Sequence, residues 1–218
     1  MHKFKDYINH LNDYIDKYLS FNYPSNLYDP VKYILQNGGK RVRPLFTLFI
    51  SDLFSEKIDN ALAAAASLEI FHNFTLVHDD IMDNAIIRRG AKTINDKWNN
   101  NTAILSGDIM LILSYNLLSK YKDQTYIELS KELNNTAILV FEGQQYDIDF
   151  STQNNVQIDD YFKMIELKTA ELIACSFKFG GIVSEASENN IQTLYKIGKN
   201  LGIAFQLEDD YLDSFGQS

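Results

Sequence analysis

One cysteine, Cys175, stands in 218 residues, which excludes a disulfide framework and any metal site built on thiolates. Its apolar setting, ELIACSF, suits a buried, inert thiol. Prolines number three, Pro24, Pro30 and Pro44, so nothing after residue 44 forbids helix. Positive charge is short: 20 Lys and Arg against 29 Asp and Glu leave a net charge of −9. That balance argues against a general binder of nucleic acid or membrane surfaces, which needs basic patches. It leaves room for phosphorylated ligands held by metal ions and a few cations. No apolar stretch approaches the roughly 20 residues of a membrane span. The amino-terminal segment is amphipathic and carries Asp6, Asp13 and Asp16, unlike a signal or transit peptide. A cytoplasmic protein is expected. With 45% hydrophobic residues, the chain can build one sizeable core.

What is present is helical periodicity. Phe4, Tyr7, Ile8, Leu11, Ile15, Tyr18 and Leu19 recur at helical spacing. Asp29 before Pro30 reads as an N-cap with proline at the first helical position. Asp59 reads as the cap of NALAAAASLEIFHNFTLVHDDIMD. Further helices are expected over Thr102 to Tyr121, Tyr126 to Phe150, Asp159 to Ile182 and Ile191 to Phe215. The breaks fall at YPSN, QNGGK, RRGAKT, STQNNVQ and SEASENN. No strand alternation competes, so the chain is expected to be an all-α, single-domain bundle with a well-buried middle.

Within LVHDDIMDNAIIRRG, Asp79 and Asp83 are four apart and share a helix face, while Asp80 is turned about 100° away. Phe71, Phe74, Leu76, Val77, Ile81 and Met82 surround them. Carboxylates in apolar surroundings coordinate a cation, form ion pairs or take up protons. A hard ion such as Mg2+ suits oxygen ligands and commonly sits between one or two carboxylates and substrate phosphates. Arg88 and Arg89, just beyond, have the planar fork that favours phosphate. The plainer alternative is a solvated acidic helix end beside a loop. About 130 positions later FQLEDDYLDSFG repeats the spacing with Asp209, Asp210 and Asp213. Two such clusters on two helices can face each other across one cavity.

The pieces GGKRVRP (38–44), HNFTLVHDDIMD (72–83), RRG (88–90), GQQYD (143–147), KTA (168–170) and FQLEDDYLD (205–213) together resemble the trans-isoprenyl diphosphate synthases of the polyprenyl synthetase family. The resemblance implies the isoprenoid synthase fold, an antiparallel helical bundle around a central cavity. It implies an enzyme, a transferase of prenyl groups, that condenses isopentenyl diphosphate with dimethylallyl, geranyl or farnesyl diphosphate. Several Mg2+ ions and a homodimer are implied with it, and neither nucleic acid nor a membrane span. Asp79, Asp83 and Asp209 would bind metal, with Asp80, Asp210 and Asp213 matching less direct positions. Arg88, Lys168, Thr169 and Gln206 resemble the contacts to the allylic diphosphate. Lys40, Arg43, His72 and Arg89 resemble the cradle for isopentenyl diphosphate. Gln144 and Asp147 match a motif near the site without a fixed role.

The residues themselves agree in part. Lys40 and Arg43 follow the flexible Gly38-Gly39 turn, although on these residues alone a basic loop closed by Pro44 is the plainer reading. Lys168 inside MIELKTAELIA needs an anionic partner if buried, or it is a surface lysine lying along apolar surface. Gly198 and Gly202 permit close approach of a helix or a substrate. His78 reads as a polar helix residue satisfied locally. Thr75 lies one turn below Asp79, about 5.4 Å along the axis, with Phe74 beside it. In the family, bulky residues at these two positions limit the cavity, which implies a C20 product first and C15 next. The chain stops at Ser218, five residues beyond Asp213, where family members continue for several helices. The expectation is therefore one polyprenyl synthetase domain over 1–218, incomplete at its carboxyl end. A partner-dependent or non-catalytic subunit of a prenyl synthase is the alternative. A terpene cyclase is a weaker one, since its second metal motif mixes Asn, Ser or Thr and Glu, unlike DDYLD.

Overall fold

A computed structural model describes residues 2–20, 23–55 and 58–216. Its helices are α1 (His2–Tyr18), α2 (Ser25–Gln36), α3 (Val42–Ser55), α4 (Leu62–Met82), α5 (Ile94–Lys97), α6 (Asn100–Leu118), α7 (Asp123–Phe150), α8 (Ile158–Ile165), α9 (Glu171–Val183) and α10 (Glu188–Phe215). α4 is the axis. Every residue from Ala61 to Phe71 is buried, as in a helix that is enclosed on all sides. It is packed by α1, α2, α3, α6 and α9. Small side chains let its neighbours in: Ser67 on α4 donates to the carbonyl of Ser114 on α6 at 2.8 Å. Each large apolar side chain sealed in this core, such as Phe71, Leu68 or Phe179, contributes roughly 1.5–3 kcal/mol.

α7 and α10 pack instead on α9 and on the turn that precedes it. The space between them and the upper half of α4 is the cavity described below. Gly198 and Gly202 belong to packing: a Cβ at 198 would come within 2.8 Å of Ala174 Cα, and one at 202 would meet Ala170. Cys175 is buried and free.

Several expectations need correction. α2 begins at Ser25 with Pro24 at its cap, so Pro30 lies inside the helix rather than at its start. Pro30 is buried, and the packing of its ring outweighs the lost backbone donor. Asp59 does not cap α4. Residues Ile58–Ala61 form a 3-10 turn, and the Tyr121 phenol accepts from the Ala64 N–H at 3.1 Å while donating to the Asn60 carbonyl. A partner 57 residues away in sequence leaves no local signal. The expected helix over 159–182 is interrupted by a π-helical turn, Glu166–Ala170. RRGAKT is not a bare loop: β1 (Ile87–Arg88) and β2 (Ala91–Lys92) pair antiparallel. The turn between them is Arg89 at φ +54° and Gly90 at φ +76°, two positive values of the kind a tight hairpin demands. Finally, α6 is long and apolar enough to cross a bilayer by length and composition. Its buried side, including Ala103, Ser106, Met110 and Leu117, packs on α4.

Candidate active site

Asp79 occupies the last turn of α4, and Asp83 follows at its cap, where its N–H donates to the Asp79 carbonyl at 2.9 Å. Both side chains line a cavity of about 800 Å³. Asp80 does not. It is 1% exposed and accepts from Arg88 Nε at 2.7 Å. The hairpin thus brings a cation back to the one aspartate that α4 turns inward, and Arg88 still borders the cavity. Burial pushes the Asp79 carboxyl up to about 6, opposed by Lys168 and Arg88 and reinforced by Asp83 and Asp80. Burial also raises Asp80, against the pull of Arg88.

A stability prediction follows from Asp79. Its proton is held more tightly in the folded chain than in the unfolded one, so stability falls as pH rises from about 4 to about 6 and stays lowered above. At neutral pH without divalent metal the ionised group costs about 2 kcal/mol, allowing for partial screening by solvent. Asp79→Asn is expected to raise the metal-free Tm at pH 7 by roughly 4–8 °C and to change little near pH 4. Thermal unfolding in a chelator at both pH values checks this; equal Tm values at pH 7 would remove the burial argument.

The second wall is the loop before α3. Gly38, Gly39 and Arg41 have φ of +79°, +123° and +49°, a path that buries Arg41 against Glu69 and the Leu35 carbonyl. Lys40 is left exposed at the rim, its Nζ 5.8 Å from the centre of the Phe205 ring. Arg43, in the first turn of α3, stands 3.1 Å from His72 Nε2. Burial lowers Arg43 to about 10. Burial, then Arg43 and the other arginines, lowers His72 well below its usual range, which keeps that ring neutral. Arg89 donates to the Gly38 carbonyl at 2.7 Å, tying hairpin to loop. Lys40, Arg43, His72 and Arg89 all line the cavity.

The third wall rises from the π-helical turn and α10. A π turn accommodates one extra residue and re-aims the side chains near it. Here it carries Lys168, paired with Asp147 of α7, and Thr169, whose hydroxyl donates to Gln206 Oε1 at 2.8 Å. Gly143 on α7 faces this turn, and a Cβ there would overlap the backbone of Lys168. Gln206 Nε2 continues to Asp210 at 2.8 Å, and the Tyr161 phenol also donates to Asp210. Asp210 is therefore held by α8 and α10, while Asp209 lines the cavity with Lys168, Thr169, Gln206 and Gln144. Asp213 is exposed and is not among the lining residues. Phe74 and Thr75 line the same cavity, as do Val140, Phe141, Leu172 and Ile173. Phe74 is 5% exposed and rests against the rings of Phe71 and Phe141, at 5.6 and 5.9 Å between centroids.

The donor set fits an ion shared with a phosphate. Among the described residues no three His, Cys, Asp or Glu side chains close around a single point, so the protein builds no cage of its own. It offers carboxylates on facing walls, as Mg2+ bound through one or two carboxylates and phosphate oxygens requires. Buried Arg43 Nε and Gln144 Oε1 have no partner, and both residues border the cavity. Polar atoms left this way are commonly completed by a ligand.

Comparison with known protein families matches residues 24–218 to the polyprenyl synthetase family. The chain belongs to this family. Like other polyprenyl synthetases it has the isoprenoid synthase fold: a geranylgeranyl pyrophosphate synthase of known crystal structure superposes with a TM-score of 0.97 at 44% identity, covering 100% of this chain and 67% of that one. Geranylgeranyl diphosphate synthase of Sulfolobus acidocaldarius is 37% identical over 96% of this chain and 64% of its own length. The Methanosarcina mazei enzyme of the same name is 36% identical over 96% of this chain and 65% of its own. The chain thus spans just under two thirds of the curated relatives it matches.

Sequence reasoning missed Tyr161, Glu69 and Phe141 as neighbours of this polyprenyl synthetase site. Glu69 alone left a trace, a lone acid in an alanine-rich apolar helix. Tyr161 and Phe141 look like any amphipathic-helix aromatic.

Proposed function

We propose that this polyprenyl synthetase chain is a Mg2+-dependent prenyltransferase that joins isopentenyl diphosphate to an allylic diphosphate. The product would be a short all-trans prenyl diphosphate, C20 first and C15 next, with diphosphate released. The observation that carries the reading is the meeting of Asp79, Asp83 and Asp209 with Arg43 and Lys168 on one cavity that Phe74, Val140, Phe141 and Leu172 also line.

In this reading Arg88, Lys168, Thr169 and Gln206 hold the allylic diphosphate, and Lys40, Arg43, His72 and Arg89 hold isopentenyl diphosphate. Magnesium ions shared between the carboxylates and the phosphates would supply Lewis-acid stabilisation of the leaving group. The fixed cations add to it, because they face the oxygens on which charge grows. The allylic C–O bond breaks with its electron pair on diphosphate. The isopentenyl double bond then attacks the cation, and the released diphosphate takes the proton lost in forming the new double bond. Val140, Phe141, Leu172 and Ile173 keep water from the cation.

We further assign one domain to 1–218 and a homodimer, which suits the exposed Ile104, Leu105 and Ile112 on α6 and Ile127 and Ile138 on α7. A cytoplasmic location suits the unpaired buried thiol of Cys175. The test is incubation with labelled isopentenyl diphosphate, an allylic starter and Mg2+, alone and mixed with a full-length synthase. Labelled prenyl product from the chain alone supports the reading. Product only in the mixture supports a partner-dependent subunit.

Phe74→Ala is expected to lengthen the product by one or more five-carbon units and to destabilise the fold by about 3–5 kcal/mol, the range for a buried aromatic truncated to alanine. Chromatography of the dephosphorylated products reads the first effect. An unchanged length would remove Phe74 as the floor.

A further inference from the structure

The cavity wall on the α6 side contains a residue that the proposed reaction does not use. His78 borders the cavity together with Asp108 and Leu111. Its ring meets Phe74 edge-on, with centroids 4.8 Å apart and planes at 68°. Nε2 lies 3.3 Å from the Ile104 carbonyl oxygen and 3.8 Å from the Asp108 carboxylate, both on α6. Between those two residues is Gly107, which is buried. A Cβ built there would collide with Nε2 and Cδ2 of His78. The missing side chain at 107 is therefore the seat that receives the Nε2–Cδ2 edge of the imidazole against α6.

Phe71 and Phe141 already hold two other sides of the Phe74 ring, and His78 holds the side toward α6. A ring forced off Gly107 moves away from α6, toward Phe74 and the cavity that both residues line. We propose that Gly107 and His78 form a positioning pair that fixes the width of the cavity beside Phe74, and so selects the length of the hydrocarbon tail. The inference deepens the prenyltransferase reading and rests on it. His78 acts through Phe74 and the shape of the wall, and takes no part in bond making.

The test measures tail selection apart from turnover. Calorimetry on the full chain, with Mg2+, would compare inorganic diphosphate with the slowly ionising thio analogues of geranyl and geranylgeranyl diphosphate. Gly107→Ala is expected to weaken the geranylgeranyl analogue about tenfold relative to the geranyl one, the scale of a mis-sized apolar pocket. Inorganic diphosphate should bind as it does to the wild type. His78→Ala alone should shift the ratio the other way, and His78→Ala added to Gly107→Ala should restore it. The His78→Ala result stands whether or not Gly107→Ala folds. A wild-type ratio in His78→Ala, or in a folded Gly107→Ala, overturns the inference and leaves the prenyltransferase reading in place. A wild-type chain that binds diphosphate but neither prenyl analogue overturns both.

Discussion

Replacing Asp209 by alanine is expected to lower Mg2+-dependent prenyl transfer by about 10²–10³-fold, the scale of losing one preorganised charge contact at a leaving group. The fold should barely notice. Asp209 is half-buried, and its influence on Arg43 is the weakest of that residue's charge contacts, so the stability change should stay within about 1 kcal/mol. Its neighbours supply the controls. Asp210 accepts from Tyr161 and Gln206, and Gln206 in turn holds Thr169. Asp210→Ala should therefore leave two part-buried donors unpaired, destabilise by about 1–3 kcal/mol, and reduce the rate through misplacement of Thr169. Asp213 is exposed, and Asp213→Ala should stay close to wild type in both. Incorporation of labelled isopentenyl diphosphate, with unfolding curves for each variant, gives the series. A near-normal rate in Asp209→Ala would undo the facing-wall site, as would the same result in Asp79→Ala.

That series also marks how far the sequence could be read. Spacing alone put Asp79 and Asp83 on one face of a helix, because four residues make about one turn. It also made the second acidic cluster visible as a repeat. It could not tell which aspartate of each cluster faces the cavity. That is decided by partners on other elements, Arg88 of the hairpin for Asp80 and Tyr161 of α8 for Asp210. Local rules failed wherever a long-range contact competed with them. Asp59 was a plausible cap until Tyr121 supplied a better placed oxygen. The π turn at Lys168 lies in a stretch without proline or glycine, ELKTA, and is sustained by close approach of α7 and α10 on either side. Gly90 signalled a turn, yet its partner in the hairpin is Arg89 at φ +54°, which no propensity favours. There the arginine is held by its bond to Gly38, so strain and placement of a site cation come together.

Glu69→Ala is expected to destabilise the protein by about 3–5 kcal/mol, the range for breaking a buried ion pair from one side. Glu69 is 2% exposed. It pairs with Arg41, whose guanidinium also donates to the Leu35 carbonyl, and its carboxylate accepts from Asn73 Nδ2 at 2.8 Å. It is also the leading counter-charge for two further arginines, holding up both Arg43 and Arg89 against burial. Without it, Arg41 keeps a buried charge with a single carbonyl for company. The loop that Arg41 anchors at φ +49° then has no reason to hold that strained backbone. Lys40 and Arg43 move with it, so affinity for isopentenyl diphosphate should fall together with stability. Glu69→Gln keeps the shape and the Asn73 contact while removing the charge, and should fall between alanine and wild type. Replacing both partners, Arg41→Met with Glu69→Leu, should recover much of the stability, because two apolar side chains leave no charge uncompensated. It should not recover ligand affinity, since the loop then has no anchor. Urea unfolding of the three variants, with calorimetry of isopentenyl diphosphate binding, separates the two effects. A loss below about 1 kcal/mol in Glu69→Ala, the size of an exposed pair, would mean that this pair does not hold the loop.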